Sequence, residues 1–309
     1  MQDFLDWTVV IGILSSGIRL ATPYLYAAIG ETFGQRSGVL NLGVDGIMLL
    51  AAFSSYFTVL TLGSPWLGLL VAILVGGLMG IAMGFISITL QAEQGISGIG
   101  VYLFGLGLSD LLFQKFVGTA KAISGFKEFP IPLLSKIPFF GDIFFSQSVL
   151  VYGAYLLIPL AWFILNKTTF GLNIRAVGEN PEAADSLGVS VQKTRYLTLT
   201  LGGILAGIAG ASLSIALLNV FQQNLTNGMG FIAVALVYFG GWRPFYVLLG
   251  SLIFSFVNAL QVWMQVLGVP IPSDIAVMMP YVLTIVVLIF SAGRVRPPAA
   301  LTKTYERGS

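Results

Sequence analysis

The chain has 309 residues, of which 56% are hydrophobic and only 9% are charged, and its formal net charge is +2. Because a soluble domain carries about a quarter charged residues, this composition predicts an all-α, polytopic membrane protein and gives no reason to expect a nucleic-acid partner. The chain has neither cysteine nor histidine, which excludes disulfides and thiolate metal sites and removes the commonest general base. We therefore expect no catalytic residue, no metal site and no enzymatic activity.

Eight apolar runs are long enough to cross a bilayer, whose core takes roughly 20 residues of helix. In chain order they cover residues 8–29, 38–62, 65–91, 95–116, 148–165, 196–218, 245–267 and 275–291. A ninth run, 229–241, is too short to span and is interpreted as a half-helix or re-entrant segment, which needs protein or a water-filled cavity around its backbone. The N-terminus lacks the basic region of a signal peptide, so the first run is expected to be retained. Residues 1–309 are thus predicted to form one transmembrane domain.

Several polar side chains fall within or beside the predicted spans. Arg19 lies inside the first run and Asp45 just inside the second, and charges at that depth are costly unless they are paired. We expect Arg19 to form an ion pair with Asp45 or Glu31 that locks the first two helices together. Asp45 and five uncharged side chains either line a path for a neutral, hydroxyl-rich solute or join helices. The five are Asn41, Gln94, Ser97, Asn258 and Gln261.

Glycine rows predict close contacts between helices. Gly76 and Gly80 recur in the third run, and Gly203 and Gly207 recur in the sixth. This small-xxx-small spacing lets two backbones approach closely in lipid.

A weak internal repeat is also visible. Residues 38–53 followed by 65–68 resemble residues 228–241 followed by 242–245. The two copies would run in opposite directions, and inverted repeats of this kind are typical of transporters whose substrate path lies near the repeat interface.

The long polar loop 166–195 contains a short helix with defined ends. Asn180 is a favourable N-cap, Pro181 suits the first helical position, and Glu182 suits the positive end of the helix dipole. Gly188 is a typical stop signal, so about two turns of helix are expected between Asn180 and Gly188. Between membrane spans such a helix needs a surface to pack on. That surface is either a partner protein or the membrane itself.

The distribution of basic residues predicts the orientation of the chain. Lys and Arg gather in loop 166–195 and in the tail 292–309, which places both in the cytoplasm. The N-terminus, with Asp3 and Asp6 but no basic residue, then lies outside. The connection 117–147 also falls outside although it contains lysines such as Lys127, and its prolines predict an extended, ordered surface loop.

The short helix resembles a known motif. Glu182-Ala183-Ala184, followed after three residues by Gly188, is similar to the EAA loop of permease subunits in bacterial ABC importers, where this helix sits in a cleft of the cytoplasmic ATPase. Thr198 departs from the motif, which often has an apolar residue there, and no Leu-Pro follows. The resemblance implies an ATPase-coupling role for seven residues. They are Asn180, Pro181, Glu182, Ala183, Ala184, Asp185 and Gly188.

A longer resemblance narrows the kind of importer. Gly30-Glu31 and the stretch 35–48, QRSGVLNLGVDGIM, together with 171–180, GLNIRAVGEN, resemble permeases for simple sugars and nucleosides, in the same superfamily as ribose and branched-chain amino acid permeases. The resemblance runs from about residue 23 to residue 291 and is greatest to the smaller permease of a nucleoside-importer pair. It implies a bacterial cytoplasmic-membrane location and three protein partners. They are an ABC ATPase, a second and different permease, and a lipoprotein that delivers a small neutral solute.

The chain contains no Gly-x-x-x-x-Gly-Lys-Ser/Thr loop, the motif that cradles phosphates in Walker-type ATP sites. We therefore expect this chain to bind no cofactor, with ATP and Mg²⁺ held by the partner ATPase. The alternatives are a ribose or branched-chain amino acid permease and, in a different class, an ATPase-independent channel or secondary carrier. An intramembrane enzyme ranks last. A self-sufficient carrier would keep its uptake when Glu182 or Gly188 is mutated.

Overall fold

The computed structural model describes residues 7–268, 272, 275, 278–280, 282, 285, 286, 289 and 296–306. Its elements in chain order are α1 (Trp7–Arg36), α2 (Val44–Leu62), α3 (Pro65–Gly84, continued by a π-helical turn at Phe85–Thr89), α4 (Gln94–Phe116), β1 (Glu128–Pro130), a 3₁₀ turn (Leu134–Lys136), α5 (Phe140–Phe144), β2 (Ser146–Ser148), α6 (Val149–Lys167), α7 (Thr169–Glu179), α8 (Pro181–Ser186), α9 (Val191–Ser212, continued by a π-helical turn at Leu213–Leu217), α10 (Met229–Phe239) and α11 (Pro244–Val266).

The all-α, polytopic prediction is confirmed. Among the described residues, seven helices are long and apolar enough to cross a membrane, and α10 is a shorter apolar helix. The strands β1 and β2 form one small antiparallel pair in the connection that was expected to be an extended, ordered surface loop. Most of the predicted span 275–291 lies outside the described residues. The acidic residues Asp3 and Asp6 lie wholly outside them.

Helix α1 is longer than the sequence predicted. It continues past residue 29 to Arg36, and its last turns carry Glu31 and Gln35 into the buried core. Gln35 Nε2 donates to Glu31 at 3.2 Å, and Gln35 Oε1 accepts from the Trp242 indole N–H at 2.9 Å. Because these polar groups find partners inside the protein, their burial does not end the helix.

The second predicted span begins too early. Helix α2 starts at Val44, and residues 37–43 form a non-helical connection whose residues are mostly buried. Gln94 Oε1 accepts from the Leu40 N–H at 2.8 Å. This bond places the start of α4 at the same end of the bundle as the end of α1.

The glycine rows of α3 and α9 face each other. A Cβ atom added to Gly76 would collide with the carbonyl oxygen of Gly203, and one added to Gly203 would collide with that of Gly76. The expected close contact of small residues is therefore confirmed as the contact between α3 and α9, two helices that flank the core.

Helix α10 is the helical part of a discontinuous segment that crosses the bundle. The non-helical residues 218–228 before it include Asn219, whose carbonyl accepts from the Ile123 N–H at 2.9 Å, in the connection that follows α4. After α10, the Trp242 carbonyl accepts from Arg36 Nε at 3.3 Å at the end of α1. The half-helix prediction is thus confirmed, in a segment that passes from one end of the bundle to the other rather than re-entering on the same side.

The prediction that Arg19 forms an ion pair with Asp45 or Glu31 is wrong. Arg19 Nη2 instead lies 2.7 Å from Glu128 of β1, and Arg19 Nε donates to Gln147 of β2 at 3.0 Å. Glu31 is bonded to Gln35 within α1, and Asp45 accepts from the Gly230 N–H. The connection 117–147 packs on α1 and supplies the partner that the helices were expected to supply.

Candidate functional site

Helix α8 has the ends that the sequence predicted. Asn180 Oδ1 accepts from the Ala183 N–H at 3.0 Å, and Pro181 occupies the first helical turn. Gly188 closes the helix with a left-handed backbone at φ +86°, and its N–H donates to the Asp185 carbonyl at 2.9 Å. These bonds satisfy backbone groups that a short helix otherwise leaves unpaired.

The two faces of α8 differ in exposure. Ala184 is buried in a small apolar cluster with Val177 of α7 and Val191 of α9. On the other face Glu182, Ala183 and Ser186 are exposed, and Leu187 just beyond the helix is 85% exposed. The helix is therefore anchored to the bundle on one side and presents a free surface on the other.

Helix α7 connects α8 to the transmembrane core and was not predicted as an element. The Thr168 hydroxyl caps it by accepting from the Gly171 N–H at 3.1 Å. At its other end Gly178 packs so tightly on the Arg36 carbonyl that a Cβ would not fit. Loop 166–195 therefore rests directly on the junction between α1 and residues 37–43.

Arg195 is a central residue of this junction. From the sequence it was interpreted only as one of the basic residues of loop 166–195. Its side chain is buried near the start of α9. Nε donates to the Ser37 carbonyl at 3.2 Å and Nη1 to the Lys303 carbonyl at 3.1 Å. Thr198, which departs from the EAA pattern, forms a 2.8 Å hydrogen bond with the Ser37 hydroxyl. Only the packing of α9 against residues 37–43 reveals these roles.

The tail lies at the same end of the bundle as α8. The Ala300 N–H donates to the Gly178 carbonyl at 2.9 Å, and the Thr302 N–H donates to the Gly38 carbonyl at 3.1 Å. The tail, α7, α9 and residues 37–43 thus form one hydrogen-bonded junction.

A cavity of about 230 Å³ lies between α1, α10 and α11. Two of its lining residues, Asn258 and Gln261, are among those predicted to contact a solute, and they are three residues apart on α11, so they share one helix face. Within the described ranges neither side chain makes an intramolecular hydrogen bond. The cavity is also lined by Tyr24, Leu225, Thr226, Asn227, Met229, Ile232, Phe254 and Pro280.

The other predicted path residues lie elsewhere and bind backbone groups. Asn41 Oδ1 accepts from the Gly43 N–H at 2.9 Å, and Gln94 binds Leu40 as described above. Ser97 Oγ donates to the Glu93 carbonyl at 2.6 Å. The Glu93 carboxylate caps α4, and the N–H groups of Ile96 and Gly95 hold its pKa below the usual value. Gln94 therefore joins α4 to residues 37–43, whereas Asn41 and Ser97 bind backbone groups of their own segments.

Asp45 joins the starts of α2 and α10. Its Oδ1 accepts from the Gly230 N–H at 2.7 Å, and the side chain is buried. Since both helices present their positive N-terminal ends here, a carboxylate is favoured at this point. Thr226, which lines the cavity, also lies beside Asp45, so Asp45 borders the cavity without lining it. Across the described part of the chain, no group of three acidic residues is arranged to hold a metal ion.

Comparison with known proteins identifies the family. Residues 13–288 match the family described as "Branched-chain amino acid transport system / permease component". The nucleoside ABC transporter permease protein NupC of Lactococcus lactis subsp. cremoris is 37% identical over 299 residues, which cover 93% of this chain and 94% of that protein. The guanosine ABC transporter permease protein NupQ of Bacillus subtilis is 36% identical over 310 residues, covering 96% of this chain and 97% of that protein.

A third relative is named for a sugar rather than a nucleoside. A Haloferax volcanii protein provisionally named as the glucose ABC transporter permease protein TsgC13 is 36% identical over 323 residues, covering 96% of this chain and 98% of that protein. No solved structure matches the chain. The family match over residues 13–288, together with the bundle of apolar helices, shows that this chain belongs to the family of branched-chain amino acid transport system permease components.

Proposed function

We propose that the chain is the permease subunit of an ATP-driven ABC importer and forms half of the translocation pathway for nucleosides or related simple sugars. The observation that carries the proposal is α8, an exposed and well-capped helix anchored on the transmembrane core in a member of a permease family. The names of the relatives, two for nucleosides and one for glucose, support the solute class.

The proposed importer requires three partner proteins. The face of α8 that carries Glu182 and Leu187 would contact an ABC ATPase that holds ATP and Mg²⁺, while this chain binds neither. A second, different permease would complete the pathway, and a substrate-binding lipoprotein would deliver the solute. Because this is a transport component, its contribution is conformational rather than chemical.

A contiguous series of contacts supports this coupling. Movement of α8 would pass through α7 to Gly178 and the Arg36 carbonyl. From there residues 37–43 lead to Asp45, which holds the start of α10 through the Gly230 N–H. Thr226 beside Asp45 lines the cavity. Packed elements of this kind switch between discrete arrangements rather than deforming smoothly.

The cavity chemistry favours a neutral solute. The amides of Asn258 and Gln261 offer donors and acceptors for hydroxyl groups, and Tyr24 and Phe254 form an edge-to-face pair at 5.1 Å beside them. None of the described residues that line the cavity is charged. The ammonium and carboxylate of a branched-chain amino acid would lose hydration there without finding an ionic partner, which argues against that alternative.

We expect Asn258→Leu to reduce uptake of the nucleoside or sugar by about fivefold or more, because a lost hydrogen bond that leaves a polar group of the solute unpaired costs about 1–3 kcal/mol. The measurement is ATP-dependent uptake of radiolabelled guanosine, glucose and leucine into vesicles holding the assembled transporter. Gln114→Leu, on the exposed side of α4, makes the same amide-to-leucine change away from the cavity and should not alter uptake. Transport of leucine alone, or uptake without the ATPase, would overturn the proposed function.

We also propose that α8 faces the cytoplasm and the connection 117–147 faces outside. Single cysteines introduced at Ser186 and at Lys127 of this cysteine-free chain should then react with a membrane-impermeant maleimide from opposite sides. In intact cells only the Lys127→Cys variant should label, and Ser186→Cys should label after permeabilisation. Labelling of both positions from one side would contradict the orientation.

A further inference from the structure

A second cavity lies at the α8 end of the bundle, apart from the solute cavity. It has a volume of about 420 Å³ and is bounded by the ends of α1 and α6, by α7 and by the start of α11. Three arginines line it, Arg36, Arg175 and Arg243, and none of its described lining residues carries a carboxylate. Such a concentration of like charge is unfavourable unless an anion neutralises it.

The arginines keep unused donors. Arg36 donates Nε to the Trp242 carbonyl at 3.3 Å, and Arg175 donates Nε to the Gly171 carbonyl at 3.4 Å. Arg243 stacks over the Tyr246 ring at 5.7 Å. Within the described ranges none of the three is paired with a carboxylate at ion-pair distance. Glu179 influences Arg36 electrostatically but does not line the cavity. The terminal guanidinium nitrogens therefore remain available to an anion.

The start of α11 adds to this positive field. Arg243 is its N-cap residue and makes no side-chain capping bond, and Pro244 at the first position has no N–H. The helix has 23 residues, and its positive dipole end opens on the cavity beside the arginines. Phosphate groups bind well where a helix N-terminus and guanidinium groups converge.

The surroundings of the cavity suit a lipid rather than a soluble anion. Trp162 and Phe245 lie at its edge with ring centroids 6.2 Å apart, and Lys167 lies 5.8 Å above the Trp162 ring. Aromatic and basic side chains of this kind gather at the headgroup level of a membrane. Exposed apolar side chains continue from the cavity along α6 and α11. They are Leu156, Leu160, Leu249 and Ile253.

We propose that this cavity binds the phosphodiester headgroup of an anionic phospholipid from the leaflet on the α8 side. Arg36, Arg175 and Arg243 hold the phosphate oxygens, Trp162 and Tyr246 pack on the glycerol region, and the acyl chains lie along the exposed apolar face of α6 and α11. Basic pockets between transmembrane helices are suited to such headgroups. Because the arginines reach both α7 and α11, a bound lipid would brace the coupling loop against the transmembrane core.

Native mass spectrometry of the full-length protein in detergent tests the proposal with phosphatidylglycerol and phosphatidylcholine as probes. The wild-type protein should retain phosphatidylglycerol at least tenfold better than phosphatidylcholine. Arg175→Gln combined with Arg243→Gln should remove that preference. Lys193→Gln, which deletes an exposed charge at the same end of the bundle, should keep it. The single variant Arg243→Gln, whose side chain is exposed, gives a second readout if the double variant does not fold, and should weaken the preference severalfold.

Four outcomes would overturn the lipid site. Equal retention of the two lipids by the wild-type protein would exclude headgroup recognition, and so would an undiminished preference in folded arginine variants. Displacement of phosphatidylglycerol by millimolar inorganic phosphate would identify a soluble anion as the ligand. If the arginine variants no longer co-purify with the ATPase but retain lipid as the wild type does, the cavity is a contact site for a protein and not for a lipid.

Discussion

Replacing Gly188 with valine is expected to abolish uptake while the protein still inserts into the membrane. Gly188 has φ +86°, and no heavy atom lies within 4 Å of where a Cβ would stand. The substitution therefore causes no collision, but a β-branched residue in this left-handed conformation costs about 1–2 kcal/mol. Relieving that strain would rebuild the end of α8 and move Leu187, which is 85% exposed on the proposed ATPase-contacting surface.

A matched control distinguishes the effect of the position on α8 from the effect of backbone strain itself. Gly63 ends α2 with φ +68° and likewise has no heavy atom within 4 Å of a Cβ, so Gly63→Val imposes the same strain away from α8. We expect it to retain most uptake. Gly188→Asn should also retain uptake, since asparagine tolerates the left-handed region. ATP hydrolysis and solute uptake are measured together in vesicles, and Glu182→Lys should uncouple them in the same way. Wild-type uptake in both Gly188→Val and Glu182→Lys would refute the coupling role of α8.

Replacing Gly203 with leucine is expected to prevent stable folding. The side chain would enter the contact between α9 and α3, where even a Cβ collides with the Gly76 carbonyl oxygen. Overpacking a core against side chains costs about 1–3 kcal/mol. A rigid backbone oxygen cannot rotate away as a side chain can, so we expect the cost here to reach or exceed the upper end of that range.

The control for this change is Gly107→Leu. Gly107 is exposed on α4 and has no heavy atom within 4 Å of a Cβ, so leucine there meets no obstacle and gains up to about 1 kcal/mol of helix propensity. Thermal unfolding in detergent and the yield of monodisperse protein measure both variants. A Gly203→Leu protein with the unfolding temperature of the wild type would show that α3 and α9 do not depend on this close contact.

Local features of the chain could be predicted from the sequence because their causes are local. Apolar runs of about 20 residues specify membrane helices whatever their neighbours are. The ends of α8 depend on Asn180, Pro181 and Gly188, which act on backbone groups only a few residues away. The glycine rows likewise indicated close packing, since the spacing that places them on one helix face is a property of the helix itself.

Partners distant in the sequence were decided by the tertiary structure. Arg19 was expected to pair with Asp45 or Glu31, yet it meets Glu128 and Gln147 of the folded connection. Asp45 meets Gly230, and Asn258 and Gln261 acquire a cavity only where α11 lies beside α10 and Tyr24. A membrane helix must satisfy its polar groups, but which neighbour satisfies them depends on how the helices are arranged around one another. Composition and spacing therefore determined that this chain spans a membrane and carries a capped helix at α8, whereas the packing of distant elements decided where its charges pair, where its cavities form and which residues connect them.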